Sequence, residues 1–115
     1  MGNNYRSLVV VGAIMLSGCA ATEGQFNTIN AGMRGSPAFK KDFMAHCVTG
    51  LGAKPLGYRK EWAKIINTSV EALPEVYCKR YINAMLSGRM SYADYKGGLS
   101  RTADNSRLIA ILQGR

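Results

Sequence analysis

Ser36-Pro37-Ala38-Phe39-Lys40-Lys41-Asp42-Phe43-Met44-Ala45-His46-Cys47-Val48-Thr49-Gly50 reads as one helix, and Pro74-Glu75-Val76-Tyr77-Cys78-Lys79-Arg80-Tyr81-Ile82-Asn83-Ala84-Met85-Leu86-Ser87-Gly88 as another. In the first, Ser36 can accept an orphan backbone N–H and Pro37 occupies the first turn, where no donor is needed. Phe39, Phe43 and Cys47 recur every four residues, with Met44 and Val48 beside them, so one stripe is apolar. Gly50 suits the left-handed position that ends a helix. In the second, Pro74 must lie at the start, because inside a helix it would remove a hydrogen bond and clash with the preceding turn. Glu75 in the first turn suits the helix dipole. Cys78, Tyr81, Ile82, Met85 and Leu86 form its apolar face, Tyr77 lies on the edge, and Gly88 closes it. Each helix carries one cysteine on its apolar side.

Outward from these two, Gly50 to Gly57 reads as a loop. Its glycine spacing is not that of a phosphate cradle, and no strand pattern precedes it. Lys60 to about Asn67 is a helix with Trp62, Ile65 and Ile66 on one face, weakened at Asn67-Thr68-Ser69. Ser91-Tyr92-Ala93-Asp94 resembles a capping box with Asp in place of Glu, opening a short helix that Gly97-Gly98 stops. A last helix runs from about Ala103 or Asp104 to Gln113, with Leu108, Ile109, Ile111 and Leu112 apolar. There is no repeat and no convincing strand. The expected fold is all-α, a small bundle of four to five short helices over residues 36–115.

The N-terminal end is different in kind. After Met1–Ser7, with Arg6, comes the uncharged run Leu8–Leu16. Nine helical residues span roughly 13 Å, short of the ~30 Å of a hydrocarbon core. A charged start, a short apolar run and small residues after it describe an export signal. The run ends in Leu16-Ser17-Gly18-Cys19, which resembles the lipobox of bacterial lipoproteins. That resemblance implies cleavage before Cys19 by signal peptidase II, leaving 1–18 as signal peptide, and a diacylglycerol thioether on the Cys19 sulfur. Two or three acyl chains anchor a protein stably. Ala20 in place of Asp favours the outer membrane, facing the periplasm, by analogy with enterobacterial sorting. Myristoylation at Gly2 fails, because Arg6 stands where Ser or Thr is needed. Residues 19–35 are polar and glycine-containing and read as a flexible tether of roughly 20–24 Å reach. Phe26 and Ile29 could dock on the domain, which the sequence leaves open.

Acylation of Cys19 turns three cysteines into an even pair, Cys47 and Cys78, and an oxidising compartment makes that pair a disulfide. The rival is a thiol–imidazole or metal site with His46. Adjacent helical residues point about 100° apart, and a Cys-His-Cys set lacks an obvious fourth ligand. The residues call for no metal and no cofactor.

Lys and Arg number 15 against 7 Asp and Glu in 115 residues, a net charge of +8, and loss of Arg6 with the signal leaves +7. Nucleic acid would be the natural partner in the cytosol. In the envelope the candidates are anionic lipid, peptidoglycan or an acidic protein face, beside the alternative of a merely solvated surface. Arg89, Tyr92 and Tyr95, with Lys79 and Arg80, are the candidate interaction residues, Tyr and Arg being favoured at binding hot spots. The plainer reading has the tyrosines packing the short helix onto the bundle. Glu71 and Glu75 are separated by Pro74, no G-x-S-x-G occurs, and a single His would have to serve any triad. The expectation is a non-enzymatic envelope lipoprotein presenting a basic helical domain for protein or cell-wall interaction, in a structural role or an assembly role such as that of the pilotins of secretion systems. The alternative is an immunity or exclusion lipoprotein that blocks a toxin or a mobile element.

Overall fold

A computed structural model describes residues 21–100 and 102–115. The signal segment, the lipobox and Cys19 lie outside the described residues. Among the described residues six helices follow in order: α1 Glu23–Gly35, α2 Pro37–Gly52, α3 Leu56–Ile65, α4 Leu73–Ser87, α5 Tyr92–Gly97 and α6 Ser106–Leu112. The bundle is all-α and stapled by one disulfide, as the sequence implies, with one or two helices more than expected.

The added element is α1, which replaces most of the supposed tether. Thr22 accepts the Gln25 N–H at 3.2 Å while the Gln25 side chain accepts the Thr22 N–H at 2.9 Å, a reciprocal cap on two orphan donors. Phe26, Asn30 and Met33 then fall at i, i+4 and i+7 and are buried together. Burial of that stripe outweighs the roughly 1 kcal/mol that an interior glycine costs a helix. Gly32 also has a packing role: a Cβ there would meet the Phe39 ring at 3.2 Å, so its absence lets α2 fold back onto α1. Among the described residues Asn30 is the one buried polar side chain, and its Oδ1 has no partner there.

Central to the bundle is α4, which packs against α1, α2, α3 and α6. Leu73, Cys78 and Ile82 on it are completely buried, together with Ile66, Leu112 and the nearly buried Met90. Gly88 adopts φ 79°, and beyond it the Met90 N–H reaches back to the Ala84 carbonyl at 3.0 Å, while the Met90 side chain enters the core. This is the left-handed ending that the sequence announces.

Three other boundaries move. Gly50 does not end α2, which continues to Gly52 and stops at a right-handed Ala53 ahead of Pro55. α3 then starts at Leu56, four residues before the expected Lys60, because Pro55 supplies the entry. At its far end Asn67 takes the left-handed conformation, φ 59°, and Thr68 N–H closes onto the Ala63 carbonyl at 2.9 Å. Asn tolerates that region better than any residue but glycine. α6 begins later than expected, at Ser106, whose N–H is taken by Asp104 Oδ1 at 3.0 Å.

Candidate functional site

Among the described residues the seam between α2 and α4 carries two grooves. α2 contributes no fully buried residue, so it lies on the bundle as an outer layer, with a groove on each side. Cys47 and Cys78 join the two helices in a disulfide, Cα to Cα 5.9 Å. The thiol–imidazole alternative is thereby closed, since Cys47 has no free sulfur. Among the described residues no three His, Cys, Asp or Glu side chains gather as metal ligands.

One groove, of about 370 Å³, is lined by Phe43, His46 and Cys47 from α2 and by Tyr77 and Tyr81 from α4. The i, i+4 spacing of Tyr77 and Tyr81 brings their rings nearly parallel, with centroids 6.0 Å apart. Trp62 of α3 meets Tyr77 edge-on at 5.6 Å, and Tyr58 continues the series at 6.4 Å from Trp62. Lys54 Nζ lies 5.7 Å from the Tyr58 ring, within cation–π range. His46 is exposed at the rim. The wall is therefore mostly carbon, edged by an imidazole, phenols and an ammonium. Such a wall can hold an apolar or aromatic group, and the Cys47 sulfur is held in a bond.

Burial pushes the Tyr77 hydroxyl up to about 12, with Tyr58 adding to it. Burial raises Tyr81 further, helped by Tyr77 and Tyr95. Both phenols are neutral donors at any physiological pH. Because the folded state holds these protons more tightly than the unfolded chain, which releases them near pH 10, their contribution to stability is complete below about pH 10. It is lost as pH rises from there through about 12. Titration followed by phenolate absorbance shows a late stage from these two residues, and Tyr81→Phe removes part of it.

The second groove, about 320 Å³, is lined by Lys40, Met44 and Val48 of α2 and by Glu75, Lys79 and Asn83 of α4. Lys79 is the only one of the five candidate interaction residues found there. Arg80 points elsewhere: its Nη1 donates to the Leu112 carbonyl at 2.7 Å and lies 3.4 Å from the Ile66 carbonyl, tying the ends of α6 and α3 together. A cation at a helix C-terminus also meets the negative end of the dipole. Arg89 donates to the Arg115 carbonyl. Tyr92 and Tyr95 turn inward to Phe26, centroids 5.7 and 5.3 Å away, and their hydroxyls bond the Ala21 backbone. The five residues thus do not form one patch.

No family model matches the chain, and neither does any curated protein or solved structure.

A division of labour among the cations emerges from the geometry. Arg34 donates to the Leu86 carbonyl at 2.9 Å, Arg59 to Lys54 at 2.9 Å, and Arg107 to Arg89 at 2.9 Å as well as to Asp94 at 3.2 Å. With Arg80 and Arg89 they satisfy the carbonyls that helix ends and turns leave open. The lysines Lys41 on α2, Lys54 before α3, Lys60 and Lys64 on it, Lys79 on α4 and Lys96 on α5 are exposed as well, beside the exposed Arg34, Arg89 and Arg107. The sequence does not separate the two groups, since only the tertiary path puts a guanidinium beside a carbonyl up to 52 residues away. The aromatic groove was legible only in pieces, as Phe43/Cys47 and Tyr77/Tyr81 at helical spacing.

Proposed function

We propose that this chain is a non-enzymatic lipoprotein of the bacterial envelope, held by acyl chains on Cys19 at the periplasmic face of the outer membrane and presenting its basic helical domain to a protein partner. The observation that carries the reading is the Cys47–Cys78 bond. It uses the two sulfurs that remain once Cys19 is set aside, and a disulfide of this kind suits an exported chain. The exposed ammonium groups of Lys41, Lys60, Lys64 and Lys79 support it too, because solvated ammoniums meet acidic faces without fixed bidentate geometry. No helix among the described residues is long and apolar enough to cross a membrane, so in this reading attachment falls to the lipid.

The test is incorporation of labelled palmitate. Label enters the native chain, and Cys19→Ser abolishes it, blocks processing and moves the protein out of the washed membrane fraction. An unlabelled native chain, or a Cys19→Ser chain that stays processed and membrane-bound, overturns the reading.

A further inference from the structure

We propose that the domain rests directly on the bilayer, through α5 and the turn that follows it, with Lys96 and Leu99 among the headgroups. The inference rests on the acylated Cys19 of the proposed function. It starts from how the chain leaves the fold. The Ala21 N–H donates to Tyr95 Oη at 3.1 Å, and the Ala21 carbonyl accepts from Tyr92 Oη at 2.9 Å. Both hydroxyls therefore clasp one backbone residue. Phe26 packs on both rings, and the Thr22 cap begins α1 at once. Ala21 is thus held against α5 at the point where α1 begins.

Cys19 lies two residues earlier. Two residues of fully extended chain reach at most about 7 Å. The thioether must therefore leave beside Tyr92 and Tyr95, and no slack remains to lift the domain away from the glycerol it carries. Tyr92 and Tyr95 of α5 clasp Ala21, and the turn that follows α5 carries Leu99, whose N–H bonds the Lys96 carbonyl at 3.2 Å. Leu99 is 61% exposed, more than the other large hydrophobic side chains of the described surface. Lys96 beside it is exposed as well. An outward leucine with a neighbouring ammonium, fixed at headgroup depth, fits an anionic lipid surface: the methyls enter the acyl boundary and the ammonium meets phosphate.

The experiment uses the full acylated chain, purified from membranes and reconstituted in phosphatidylethanolamine vesicles containing one part in four of phosphatidylglycerol. An environment-sensitive fluorophore is placed at Leu99→Cys or, for comparison, at Leu56→Cys, a leucine 50% exposed on α3. Lipids carrying a nitroxide just below the headgroup serve as quencher. Quenching at position 99 exceeds that at position 56 several-fold. In the Tyr92→Phe/Tyr95→Phe background, with folding verified by circular dichroism, Ala21 is released and quenching at 99 falls to the level at 56. Equal quenching at both positions in a chain of verified acyl mass overturns the placement and leaves the lipoprotein reading standing. Undiminished quenching in the double tyrosine variant overturns the clasp as its cause. A chain without acyl mass at Cys19 overturns both.

Discussion

Cys47→Ser/Cys78→Ala unfolds at markedly lower urea concentration than the native protein, its stability reduced by about 3–4 kcal/mol. The estimate follows from the 31-residue separation of the bonded cysteines, whose cross-link removes loop-closure entropy from the unfolded chain. Domains of this size have margins of 5–15 kcal/mol, so the loss is a large part of the whole. Structure adds a local reason. α2 has no completely buried side chain, and Phe39 on it remains 40% exposed. What holds α2 is a half-buried stripe and the bond to α4. In the double variant, amide exchange therefore accelerates more in α2 than in α4. Alanine is chosen at 78 because that side chain is completely buried, where a hydroxyl would lack a partner. Equal urea midpoints for the native protein with and without reductant would show that the bond adds nothing to stability.

Ile82→Ala is the second large effect. Ile82 is fully inaccessible and sits midway along α4, the helix that four others pack against. Removing its branched chain leaves a cavity whose lining belongs to several helices at once, so partial collapse cannot fill it. Such replacements cost 2–5 kcal/mol, and this site belongs near the middle of that range, at about 3–4 kcal/mol. Leu99→Ala, at the exposed turn, stays within about 0.5 kcal/mol. Urea unfolding of the two variants gives the comparison, and similar midpoints would remove α4 from the centre of the bundle.

Much of the architecture was legible because it is written in local chemistry. Ser36 caps α2 through the Phe39 N–H at 3.1 Å, Ser91 and Asp94 cap α5 reciprocally at 3.1 and 3.0 Å, and Gly88 turns left-handed. Each of these needs only neighbours in sequence. α1 was missed for the converse reason. Its apolar stripe is interrupted by Asn30, a polar residue in a core position, and three glycines dilute the pattern. The signal that was present is Thr22-x-x-Gln25, the same kind of cap read correctly at Ser91. The candidate surface was legible least. Tyr92, Tyr95 and Arg80 carry the residue types of a binding patch, yet they are used inside the molecule to hold Ala21 and to join two helix ends. Residue type alone does not distinguish a hydroxyl aimed at a partner from one aimed at the protein's own backbone.

The Cys47–Cys78 bond closes a ring that contains the whole of α3, with Trp62 and Tyr58 on it. A protease that nicks an exposed non-helical stretch inside that ring, such as the one bearing Asn67 and Ser69, opens the backbone without parting the pieces. The product has the mass of one added water and migrates as a single species, dividing in two only when a thiol is supplied. A cut there is thereby confined to a scar on a molecule that stays whole.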